Sequence, residues 1–168
     1  MKKSLLLIFL SLSTVSVSAQ EKCLLPLSEA PSFFNLTLGM SGPQAKTAVG
    51  GKLNIKDKSK GVYFQNFIKH DPPRNLSGVR AIYLRFFDSK LYQIEVFYEK
   101  GSETPLEELV DQLSARENLP RSQWEIKYGI ARLTCEGFSV GMDNFLNPRI
   151  EVTDPALLAE FTKSRGKK

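Results

Sequence analysis

Histidine and tryptophan each occur once in this 168-residue chain, and cysteine only twice. Each scarcity excludes something. With His70 alone there is no HExxH zinc-protease helix, and the GxxxxGK[ST] pattern is missing as well. Two thiols and one imidazole make a poor tetrahedral zinc set, and no CxxC is present. The sequence therefore implies no metal and no cofactor. Beyond the N-terminal segment, no apolar run approaches the ~18 residues that a membrane-crossing helix requires. Neither sign of charge dominates: Lys and Arg number 23 against 18 Asp and Glu, and Lys2 and Lys3 supply two units of the +5 net charge. So mild a balance lacks the concentrated basic face of a nucleic-acid binder.

What is present begins with a signal-like layout. Lys2 and Lys3 precede the apolar stretch Leu5 to Leu12, broken only by Ser11, and a small-residue exit follows at Val17-Ser18-Ala19. That order predicts cleavage after Ala19 and export to the periplasm or the extracellular space. Gln20, Glu21 and Lys22 separate the site from Cys23, so the lipoprotein arrangement is not met. Residues 1–19 read as signal peptide, 20–162 as a single α+β domain and 163–168 as a basic disordered tail. In an oxidising compartment Cys23 and Cys135 most economically form one bridge, with a redox pair or a metal site as the alternatives.

Along the exported part, Pro26 and Pro31 keep residues 20–33 extended. Ser41-Gly42-Pro43-Gln44 predicts a capping box opening a short helix with Ala45, Ala48 and Val49 inward, stopped by Gly50-Gly51. Strands are predicted at Leu53 to Lys56 and Val62 to Ile68. A stronger pair, Val79 to Phe87 and Leu91 to Tyr98, flanks Asp88-Ser89-Lys90 as a hairpin. Alternation places Ile82, Leu84, Phe86, Tyr92, Ile94, Val96 and Tyr98 on the core face. Thr104-Pro105 with Glu107 predicts a second capped helix, its stripe made of Leu106, Leu109, Val110 and Leu113, ended by Asn118 and Pro120. Strands at 130–135, 138–142 and 150–152 follow, then a helix opened by Asp154-Pro155 and buried through Leu157, Leu158 and Phe161. The order predicts an α+β fold: a mostly antiparallel sheet with two to three helices on one face, an order that allows a tandem helix-plus-strands repeat.

Candidate sites each have a plainer reading beside them. His70-Asp71 sits in a proline-held loop, a common home for an exposed imidazole. Glu103, Glu107, Glu108 and Asp111 suit the N-terminal end of a helix dipole without any chemistry. Asp143-Asn144 lacks the full calcium-ligand series and reads as a turn. The basic stretch Lys52, Lys56, Lys58, Lys60 matches anionic lipid head groups or wall polymers, against a solvated loop. Peripheral membrane contact is thus allowed, and a transmembrane segment is not. The other hairpin face carries Tyr83, Arg85 and Phe87 against Leu91, Gln93, Glu95 and Phe97. Aromatics interleaved with Arg have the composition of a binding hot spot, unless a helix covers them as second-layer core.

Phe34-Asn35-Leu36-Thr37-Leu38-Gly39-Met40-Ser41, with the short helix ending in Gly50-Gly51, resembles the L-G-M-[ST] opening of small envelope modules. It is similar to outer-membrane assembly lipoproteins of the SmpA/OmlA (BamE) type and to the β-lactamase-inhibitor-protein fold. The hairpin Leu84 to Tyr92 resembles the one that follows in such modules. The exported part as a whole resembles uncharacterised exported bacterial proteins with paired early and late cysteines. Those families bind proteins, so the resemblance brings no catalytic residue; the missing lipoprotein cysteine departs from the assembly lipoproteins. The expectation is an exported, non-enzymatic binding or envelope-associated module whose partner is a protein or a wall component, with no nucleic acid. A secreted inhibitor of an extracellular enzyme and a small acid-pair hydrolase are the alternatives.

Overall fold

Residues 22–49, 62–66, 78–99, 104–145 and 148–166 are described by the structure, a computed structural model; for 62–66 the description is of the backbone. The signal-like segment 1–19, the strand expected at Leu53 to Lys56, and His70 and Glu103 lie outside these residues.

Alternating apolar and polar residues build the dominant element, a seven-stranded antiparallel sheet among the described residues. Its strands are β1 (Val62–Asn66), β2 (Val79–Phe87), β3 (Lys90–Tyr98), β4 (Glu125–Lys127), β5 (Ile130–Thr134), β6 (Ser139–Asp143) and β7 (Arg149–Thr153). Their order across the sheet is β1-β2-β3-β7-β6-β5-β4. The α+β expectation holds. Three α-helices complete the described residues: α1 (Gly42–Ala48), α2 (Leu106–Glu117) and α3 (Pro155–Arg165). A helix followed by an antiparallel meander thus occurs twice, and the last strands of the two units, β3 and β7, pair with each other. That is the tandem order the sequence allows.

Register decides which residues share a face. One row runs Ile126–Ala131–Met142–Ile150–Val96–Ile82, and the next runs Leu133–Val140–Val152–Ile94–Leu84. All but Ile126 and Ile150 are buried, and those two pack against the same cluster. Helices α1 and α2 close this face through Ala45, Val110 and Leu113, with Phe33 and Leu36 of the lead-in beside them. Losing one such large side chain costs about 2–5 kcal/mol, since the void cannot fully collapse.

The disulfide is formed between Cys23 and Cys135, 112 positions apart in sequence, with Cα atoms 4.4 Å apart. It staples an extended lead-in onto the strand end: Glu136 N–H donates to the Cys23 carbonyl and Gly137 N–H to that of Leu25, both at 3.0 Å. Gly137 has to be glycine, because a Cβ there would lie 2.0 Å from the Leu27 nitrogen. Between Pro26 and Pro31 the lead-in tightens into one 3-10 turn, Leu27–Glu29, rather than staying extended throughout.

Several local expectations are corrected. Pro105, not Thr104, occupies the cap position of α2, and no side-chain cap bond is made there. The Thr104 carbonyl instead accepts the Asn144 amide at 2.8 Å, tying that loop to the helix start. Strand β4, too short and too charged to show alternation, is an addition. Helix α3 has no buried residue: Leu157 and Phe161 are half-buried and Leu158 is exposed. It also continues through Lys163 to Arg165, residues expected in a frayed tail.

Candidate functional site

The sheet's second face is polar and aromatic, and the strand register assembles it in rows. Ala81, Phe97, Arg149, Asp143, Ile130 and Lys127 form the first; Tyr83, Glu95, Glu151, Gly141, Arg132 and Glu125 the second; Arg85, Gln93, Thr153, Ser139 and Thr134 the third. Tyr83, Arg85, Phe87, Gln93, Glu95 and Phe97 therefore do share one face, as alternation predicts.

Position 92 does not follow the prediction. Between the pairs Arg85↔Gln93 and Phe86↔Leu91 the register shifts by one residue, a bulge with Tyr92 as the extra member. Leu91 turns into the core, fully buried, while Tyr92 joins the polar face. The cause lies outside the hairpin. Gly39 N–H donates to the Leu91 carbonyl at 2.7 Å, and Leu91 N–H donates to the Met40 carbonyl at 2.8 Å. The lead-in thus pairs with the start of β3 and fixes Leu91 against the core.

Helix α3 crosses only the turn end of this face. Phe161 stacks on Tyr92, with centroids 5.6 Å apart and 28° between planes, and meets Phe87 edge-on at 5.8 Å. Phe87 is therefore second-layer packing. Tyr83 and Phe97 form a separate edge-on pair at 5.6 Å, both half-buried, across β2 and β3.

Between the two aromatic groups lies a charge network. Glu95, whose side chain is 8% exposed, accepts from Arg85 at 3.0 Å, with Arg149 4.0 Å away. Arg149 donates to Asp143 at 2.8 Å and lies 3.9 Å from Glu151. Gln93 donates to Thr153 at 3.3 Å, and Thr153 to Glu151 at 3.2 Å. Burial pushes the Glu95 carboxyl up; Arg85 opposes this, Glu151 adds to it and Arg149 opposes it. Burial likewise raises the Tyr92 phenol, with Arg85 pulling the other way.

Glu95 and Glu151 stand directly opposite across β3 and β7, the arrangement an acid-pair hydrolase would need. Both instead lie within reach of arginines on a sheet face. Glu107 and Glu108 sit exposed on the first turn of α2, and Asp111 pairs with Arg121. Asp143 and Asn144 serve Arg149 and Thr104. Among the described residues no three His, Cys, Asp or Glu side chains gather as a metal site. Lys52, Lys56, Lys58 and Lys60 lie outside those residues. Sequence reasoning missed Tyr92, Asp143, Arg149, Glu151 and Thr153 as members of the face, because their partners come from strands distant in sequence. The alternation Arg149-Ile150-Glu151-Val152-Thr153 was the available signal.

A second concavity lies on the core side, between α2 and the β3–β7–β6 strands. It measures about 470 Å³ and is lined by Tyr98, Leu109, Leu113, Arg116, Met142 and Ile150 among others. Burial raises the Tyr98 phenol, with Arg116 opposing it and Glu117 adding to it. No helix among the described residues is long and apolar enough to cross a membrane. No protein-family model, curated protein or solved structure matches the chain.

Proposed function

We propose that this is an exported, non-enzymatic binding module of the cell envelope, whose contact surface is the second sheet face beside α3. One observation carries the reading: the Tyr83–Phe97 pair sits next to arginines already held in place by Glu95 and Asp143. Side chains fixed before contact lose little entropy on binding, and aromatic and Arg anchors supply most of an interface's energy. A protein or wall component is the partner class. The signal-like start, the disulfide and the resemblance to envelope modules support export.

Replacing Tyr83 and Phe97 by Ala tests the surface. In an envelope pull-down the folded double variant is expected to lose the wild type's main partner, by roughly tenfold or more for a central hot spot. A variant that keeps every partner sinks the reading.

The facing carboxylates support a second reading, a hydrolase with Glu95 as acid. Activity against wall or glycoside substrates that disappears in Glu95→Gln would favour it over the binding module.

A further inference from the structure

Two large aromatic side chains stand far out of the surface at one end of the sheet, away from α3. Tyr128 is 94% exposed and Phe145 is 64% exposed. Tyr128 and Gly129 form the two-residue turn between β4 and β5, and Phe145 follows β6. The pairs Lys127↔Ile130 and Ile130↔Asp143 bring the two loops to the same sheet end.

Most of each ring is left in solvent. Tyr128 adopts φ +52°, a left-handed conformation that an aromatic residue enters only against a steric penalty and that Asn or Gly would accept. Its ring gains no burial in return. Phe145 lies over Gly129 so closely that a Cβ there would meet its ring at 2.7 Å. The neighbouring Asn144 is tied to the Thr104 carbonyl. Both rings are thus mounted on constrained backbone and displayed.

From this mounting we infer that Tyr128 and Phe145 are a stacking platform for a glycan, a β-linked chain of sugar rings whose apolar C–H faces lie on the aromatic planes. The surroundings distinguish this occupant from others. Lys127 pairs with Glu125, and Arg149 with Asp143, so the platform is flanked by balanced charges. An anionic bilayer selects clustered Lys and Arg, which the described residues of this end do not supply. A protein interface buries a contiguous patch of about 800 Å² per side, and among the described residues Tyr128 and Phe145 are the large exposed apolar side chains at this end, too few to make one. Sugar hydroxyls can bond to carboxylate and ammonium groups that stay wet. The platform adjoins the sheet face proposed above and shares its Arg149–Asp143 pair, but its test residues are neither Tyr83 nor Phe97, so either proposal can fail without the other.

The test is retention of the full exported chain on chitin and cellulose beads, with phosphatidylglycerol vesicles as the competing surface. Retention on at least one polymer is expected, weakened about tenfold in Tyr128→Ala and in Phe145→Ala. Tyr128→Asn suits the backbone, so it should melt at or about 2 °C above the wild type while losing retention. No retention on either polymer, retention unchanged in Tyr128→Asn and Phe145→Ala, or capture by the vesicles alone would each overturn the platform.

Discussion

Glu95 shows how one residue can be held by its neighbours and still be costly to bury. Arg85 at 3.0 Å favours its ionised form, yet burial and the facing Glu151 outweigh that, so the carboxyl titrates above its ordinary 4.5. The sign follows from proton counting. A carboxyl raised in the folded state binds protons more tightly there, so its penalty on stability is absent below pH 4.5. That penalty grows as pH climbs through the folded value and stays constant above it. Glu95→Gln, which cannot ionise, is therefore expected to gain on the wild type as pH rises through that window, read as the difference between their urea midpoints. Should the variant lose ground instead, the arginines outweigh burial.

At the scale of elements, α3 differs from α1 and α2. Its attachments include the Phe161 contacts to Tyr92 and Phe87, the Asp154 N–H donated to the Tyr92 carbonyl at 2.8 Å, and the Asp154 carboxylate, which accepts the amides of Ala156 and Leu157 at 2.9 and 3.0 Å. An aromatic pair adds about 0.5–1.5 kcal/mol beyond area burial and a cap about 1 kcal/mol, so the helix is held far more weakly than the core. Asp154→Ala should cost about 1 kcal/mol and act locally. Amides of 157–165 are expected to exchange faster, while those of β3 and β6 keep their protection; uniform loss across the sheet would mean that α3 is integral to the core.

For the whole molecule, the bridge between Cys23 and Cys135 is the longest-range constraint. Closing a loop of 112 residues is worth about 4–5 kcal/mol in the chain-entropy model, comparable to the net stability of many small domains. Reduction is expected to lower the melting temperature by about 10 °C. Intact-mass measurement on protein taken from its host should show a chain starting at Gln20 with both thiols joined. A full-length precursor with both thiols reduced would remove the export reading, and an unchanged melt would show that the bridge carries no stability.

Much of this architecture is legible in local sequence. The ends of β2, the hairpin, the Leu106–Leu113 stripe and the Asp154-Pro155 helix start all follow from periodicity and turn chemistry acting over a few residues. At α1 the Gln44 side-chain oxygen accepts the Ser41 amide at 2.8 Å, as the capping pattern predicts. Position 92 was not legible. Its direction depends on the lead-in pairing with Leu91, some fifty residues away in the chain, and a one-residue slip reverses a side chain's face. The same holds for the opposition of Glu95 to Glu151 and for the side of the sheet that α3 takes. Sequence alone set which residues alternate, cap and turn, because those preferences are short-range. The tertiary structure alone decided which of them meet, because strand order and register arise from contacts that no local window contains.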